Sequence, residues 1–79
     1  MRIDKYLKNS RIIKRRTVAK EACEQGRVLI NGKLTKPGDE VKIGDRVQIN
    51  FTNPIEIEVL DVSDNPRKDA SKELYKMLN

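Results

Sequence analysis

The side chains able to act on a partner lie near the start of the chain: Arg2, Lys5, Lys8, Arg11, Lys14, Arg15, Arg16, Arg27 and Asn31. A guanidinium presents donors in a planar fork that matches a phosphate, and an ammonium offers a compact point charge. The densest run is Arg11-Ile12-Ile13-Lys14-Arg15-Arg16-Thr17, with cations on both sides of an apolar pair. Residues 1–36 hold 11 Lys/Arg and 3 Asp/Glu, a net of +8, whereas residues 37–79 hold 6 and 9, a net of −3. The two halves sum to the overall +5. Such a one-sided field recruits polyanions, which makes nucleic acid the first partner class to consider.

The rest of the inventory narrows the chemistry. There is no histidine and one cysteine, Cys23, so no intrachain disulfide forms and no Cys/His metal site assembles from a single chain. Ser-His and Cys-His nucleophilic pairs are excluded on the same ground. No pair of carboxylates stands out on an apolar background, and no cofactor is implied. The expectation is a non-enzyme. Aromatic residues are limited to Tyr6, Phe51 and Tyr75, too few for a sheet of several base-stacking platforms. Recognition by charge, shape and main chain fits better. The first residues contain no apolar run of signal-peptide length, and no stretch approaches the ~20 apolar residues of a membrane span. A cytoplasmic monomer with no membrane partner is expected.

The elements that must position these cations are short. Seventy-nine residues make one small domain with a marginal core. Ile3, Tyr6 and Leu7 fall on one face of a helix of about two turns, with Arg2, Lys5 and Lys8 on the other and Asn9-Ser10 as a stop. Asp4 reads first as a favourable charge near the helix start, with orientation of a basic neighbour as its second reading. Thr17 is the candidate N-cap of a second helix, whose stripe of small residues is Val18, Ala19, Ala22 and Cys23 and whose C-cap is Gly26. Lys14, Arg15 and Arg16 crowd the start of that helix, where cations oppose its dipole, so they read as serving a partner.

Beyond Gly26, Val28, Ile30 and Leu34 surround the hairpin dipeptide Asn31-Gly32. Val41 and Ile43 precede a turn at Gly44-Asp45. Val47, Ile49 and Phe51 alternate as a strand, and Ile55, Ile57 and Val59 alternate again with Glu56 and Glu58 facing out. Ser63 to Asp69 has no apolar residue, and Ala70, Leu74 and Met77 or Leu78 return at helical spacing as a short C-terminal helix. The expected fold is α+β: two N-terminal helices packed on a small, mostly antiparallel sheet, with a C-terminal helix.

The ordered set Arg2-Ile3-Asp4-Lys5-Tyr6-Leu7, Arg11…Arg15-Arg16-Thr17-Ala19, Gly26-Arg27-Val28…Asn31-Gly32, Pro37, and Val41 to Gly44-Asp45 with Val47 resembles the RNA-binding domain named after small-subunit ribosomal protein four. The resemblance covers residues 1–51, leaving residues 52–79 as a strand-and-helix extension of the same small domain. Among stand-alone members the chain most resembles the bacterial RqcP (YabO) family of ribosome quality control. That resemblance implies an adaptor bound to large-subunit rRNA and tRNA, on stalled large ribosomal subunits still carrying peptidyl-tRNA. There it would support alanine tailing by a tRNA-recruiting factor. The alternative within RNA binding is a constitutive ribosome-associated or ribosome-assembly protein. A DNA-binding helix pair fits less well, because the second helix lacks a set of base-reading Asn/Gln side chains.

Overall fold

The structure, a computed structural model, describes residues 1–62 and 74–78. Helix α1 is Ile3–Asn9 and helix α2 is Arg16–Glu24. A seven-residue helix is not stable in isolation, so α1 depends on what it packs against. Ile3, Tyr6 and Leu7 are fully buried, against Ala19, Ala22 and Cys23 of α2 and the apolar face of the sheet. The open N–H groups at the start of α1 are satisfied by a loop. Ile3 N–H donates to the Asp39 carbonyl at 2.8 Å and Asp4 N–H to that of Pro37 at 3.4 Å. In return Val41 N–H donates to the Met1 carbonyl at 2.9 Å. At the far end the Ser10 hydroxyl donates to the Leu7 carbonyl, the competition for backbone groups expected of Asn9-Ser10.

α2 begins two residues earlier than a Thr17 cap requires. Arg15 has the extended backbone of an N-cap (φ −119°, ψ 134°), and its carbonyl accepts the Ala19 N–H at 3.0 Å, so Thr17 lies inside the helix. Among the described residues no side chain caps this end, and no acidic residue lies in the first turn. Val18 leaves the expected stripe and is exposed, because the face toward α1 is set by positions 19, 22 and 23. The helix closes on Gly26 at φ +73°, with Gly26 N–H donating to the Cys23 carbonyl and Arg27 N–H to that of Ala22. Burial pushes the Cys23 thiol up to about 11, with Asp4 adding to the effect, so it stays protonated and unreactive in the core.

The strands are β1 (Val28–Ile30), β2 (Lys33–Leu34), β3 (Arg46–Ile49), β4 (Ile55–Val59) and β5 (Tyr75–Met77), all antiparallel in the order β2-β1-β3-β4-β5. The register sets Ile30, Val47 and Ile57 side by side, and likewise Val28, Ile49 and Ile55, on the face toward the helices. Alternation places Glu56 and Glu58 on the opposite face, where Glu58 stands between Arg46 and Lys76. These carboxylates of the acidic half are therefore held behind the sheet, away from the basic helices.

The hairpin is as expected. Ile30 pairs with Lys33, leaving Asn31 (φ 52°) and Gly32 (φ 82°) as a two-residue turn with both residues left-handed. A Cβ at Gly32 would meet nothing within 4 Å, so substitution there costs conformation and not space. Gly32→Val is expected to destabilise the fold by about 1–2 kcal/mol, a fall in Tm of several degrees. Thermal unfolding checks this, and an unchanged Tm would contradict the turn geometry.

The sheet differs from expectation at its ends. Phe51 falls beyond β3, which ends at Ile49 with one further hydrogen bond in register, from Asn50 N–H to the Arg27 carbonyl. Leu34 and Ile43 are exposed and belong to no core. The C-terminal helix is corrected over its described part: Tyr75–Met77 is strand β5, paired to β4. Leu60 N–H bonds the Leu74 carbonyl and Leu78 N–H that of Glu56. β4 has an open edge there, and a segment too short to sustain a helix completes it. Ala70, together with the Ser63 to Asp69 stretch, lies outside the described residues. No helix among the described residues is long and apolar enough to cross a membrane.

Candidate nucleic-acid interface

Three separate pieces of chain bring cations to one place. Arg2 precedes α1 and is held by an isolated backbone β-bridge opposite Glu40, Lys5 stands on the first turn of α1, and Arg16 opens α2. With Met1 and Val62 they line an open concavity on the helical side of the molecule. Beneath it lies Asp4, 2% exposed. Its Oδ2 accepts from Arg2 Nη2 at 3.2 Å and is paired with Arg16 Nε at 3.5 Å, while Oδ1 accepts the Lys5 backbone N–H at 2.7 Å. Beyond the helix-start role expected of it, Asp4 contacts two guanidinium groups. The available signal was an acid set among cations at positions 2, 5 and 16.

The remaining cations extend from this centre along the α1–α2 corner. Lys8 lies one turn beyond Lys5 on α1 and is exposed. Arg11, Lys14 and Arg15 are all exposed in the segment between the helices or at its end. Arg15 and Arg16 form the uncapped start of α2, where unsatisfied N–H groups and the positive end of the dipole add to the side-chain charge. Nothing within the described fold neutralises that end through a cap, which suits it to an anion.

Arg11 sits in the left-handed region at φ 63°, immediately after the C-cap Ser10, with its N–H on the Lys8 carbonyl at 3.0 Å. The corresponding position after α2 is held by Gly26, the residue that takes this conformation without strain. A long cationic side chain is thus kept where glycine would fit better. Arg11→Gly is expected to raise stability by about 0.5–1 kcal/mol and to weaken RNA binding. Urea unfolding together with a binding isotherm checks both signs. Equal RNA affinity would mean that the side chain serves no ligand.

Arg27 and Asn31 stand apart from this group, at opposite ends of β1. Arg27 donates to Gln25 Oε1 at 3.0 Å and the Asn50 carbonyl at 3.1 Å, and lies 5.8 Å over the Phe51 ring. Asn31 is engaged by the fold on every side: Nδ2 donates to Asp45 Oδ1, Oδ1 accepts Arg46 N–H, and its own N–H donates to the Arg46 carbonyl. Its side chain ties the hairpin to the start of β3, while the residue as a whole stays exposed at the turn.

The comparisons with known proteins agree with this fold. The S4 domain family pattern matches residues 1–47. The chain is 47% identical over 78 residues to a protein of Halalkalibacterium halodurans named RQC P-site tRNA stabilizing factor, covering 98% of this chain and 89% of that one. It is 45% identical over 80 residues to the Streptococcus pneumoniae protein of the same name, covering 100% and 91%. Among solved structures it is similar to the trimeric heat shock protein 15 of Vibrio cholerae. The TM-score is 0.87 and the identity 30%, over 98% of this chain and 80% of that one.

Proposed function

Because this chain belongs to the S4-domain family of RQC P-site tRNA stabilizing factors, we propose that it is an RNA-binding adaptor of ribosome quality control. On this reading it binds large-subunit rRNA and tRNA on stalled large ribosomal subunits that still carry peptidyl-tRNA. It supports alanine tailing of the nascent chain beside a tRNA-recruiting factor. It works in the cytoplasm, as a single copy and without a catalytic step, by holding RNA in place.

The observation that carries the reading is the meeting of Arg2, Lys5 and Arg16 at one concavity, continued by Lys8, Arg11, Lys14 and Arg15. A surface of this kind grips phosphates and reads the shape of folded RNA more than its sequence. The placement of Glu56 and Glu58 behind the sheet leaves one face for approach.

Sucrose-gradient sedimentation of the tagged chain tests it. Comigration with large subunits and peptidyl-tRNA, lost in the Arg15→Ala/Arg16→Ala variant, is the expected result. Sedimentation with intact ribosomes or small subunits would instead assign a constitutive or assembly role. Protein remaining at the top of the gradient at low salt would overturn a ribosomal role altogether.

A further inference from the structure

Asp4 is out of place in a surface built to attract phosphate. Its carboxylate repels the ligand that its neighbours attract, and a buried carboxylate is unfavourable unless paired and hydrogen-bonded. Here it is paired on both sides. Oδ2 holds Arg2 and Arg16, which come from different segments of the chain, and Oδ1 is fixed by the Lys5 N–H. Each guanidinium side chain remains about half exposed, 53% for Arg2 and 48% for Arg16. A guanidinium has five N–H donors, so a bond to Asp4 leaves others for a ligand. Arginine side chains without such an anchor sample many rotamers, and ordering them on binding has an entropic cost. Here that cost is met in the folded protein.

Resting on the RNA-binding reading, we infer that Asp4 is a positioning residue. It holds Arg2 and Arg16 as a fixed pair of guanidinium groups for one backbone phosphate of a folded RNA, received in the concavity they line with Lys5. Fixed spacing suits a phosphate whose position is set by RNA tertiary structure. It offers little to a flexible strand, which adapts to cations wherever they lie. Asp4 therefore gives the interface its preference for folded RNA over an arbitrary polyanion, and part of its general electrostatic attraction is given up for that.

The sign of one substitution separates this from simple electrostatics. Asp4→Asn keeps the shape and the Oδ1 acceptor but raises the net charge from +5 to +6. If charge alone governs binding, every polyanion binds Asp4→Asn at least as tightly as wild type. If Asp4 positions the guanidinium pair, affinity for a tRNA transcript falls roughly tenfold while affinity for poly(U) holds or rises. Arg16→Lys is the companion variant. It preserves the net charge and a partner for Asp4 but loses the planar fork, so its tRNA affinity falls with poly(U) unchanged. It also serves should Asp4→Asn fail to fold, as judged by thermal unfolding. Wild-type binding to tRNA with a folded variant of either kind equally tight would overturn the role of Asp4 alone. Absence of wild-type binding to both tRNA and ribosomal RNA at low salt would overturn the RNA-binding reading and this inference together.

Discussion

The Arg15→Ala/Arg16→Ala variant is expected to bind folded RNA at least a hundredfold more weakly than wild type, a loss of about 3 kcal/mol. Hydrogen bonds to charged groups are worth ~1.5–3 kcal/mol each where a partner is left unsatisfied, and two are removed here. The positive end of α2 remains, so binding is weakened and not abolished. The fold should tolerate the change. Arg15 is exposed, and the Arg16–Asp4 pair has one half-exposed member, so solvent screening limits its contribution to under ~1 kcal/mol. Arg2 still accompanies Asp4. Isothermal binding and thermal unfolding together check this result. A large loss of Tm with little change in affinity would mean that the corner is structural. The salt dependence should also become shallower by roughly one unit of slope for each lost phosphate contact.

Tyr6→Ala is expected to leave most of the chain unfolded at 37 °C. Tyr6 is the largest of the fully buried side chains and stands where α1, α2 and the sheet meet. Truncating a buried aromatic costs about 3–5 kcal/mol, against a total stability of about 5–15 kcal/mol that is at the low end for a domain this small. Tyr6 also joins the two ends of the chain, because its hydroxyl donates to the Leu74 carbonyl at 2.7 Å. Tyr6→Phe removes only that bond. Leu60 N–H still donates to the same carbonyl, so the cost should be about 1 kcal/mol. Circular dichroism against urea checks both variants, and a folded Tyr6→Ala at wild-type stability would contradict the packing described.

Tyr6 also carries a pH signature. Burial raises its pKa well above the ordinary 10.0, with Tyr75 and Asp61 contributing next. The folded state keeps a proton that the unfolded state releases. Its contribution is therefore complete below pH 10 and is lost as pH rises beyond it. Relative to wild type, Tyr6→Phe should lose less stability above pH 10.

Local signals made much of this fold legible. Asn31-Gly32 named its turn, the 3-6-7 spacing of Ile3, Tyr6 and Leu7 named the buried face of α1, and the alternation from Ile55 to Val59 named β4. The failures lie where tertiary context decides. Leu74 to Leu78 has too few residues for its period to distinguish helix from strand, and the open edge of β4 settles the matter. Thr17 has the chemistry of a cap, but Arg15 already has the extended backbone. In the candidate site, charge density located the cations, while pairing could not be read from spacing. Asp4 meets Arg16 only because α1 packs on α2, and Asn31 is engaged by Asp45 only through the pairing of β1 with β3.

The central claim is that this face binds folded RNA through phosphates. Its most direct test is the affinity of the intact chain for a tRNA transcript over a roughly tenfold range of salt. With about five phosphate contacts, the log–log slope is expected to be roughly −3 to −5. A slope near zero, or no binding at low salt, would contradict it.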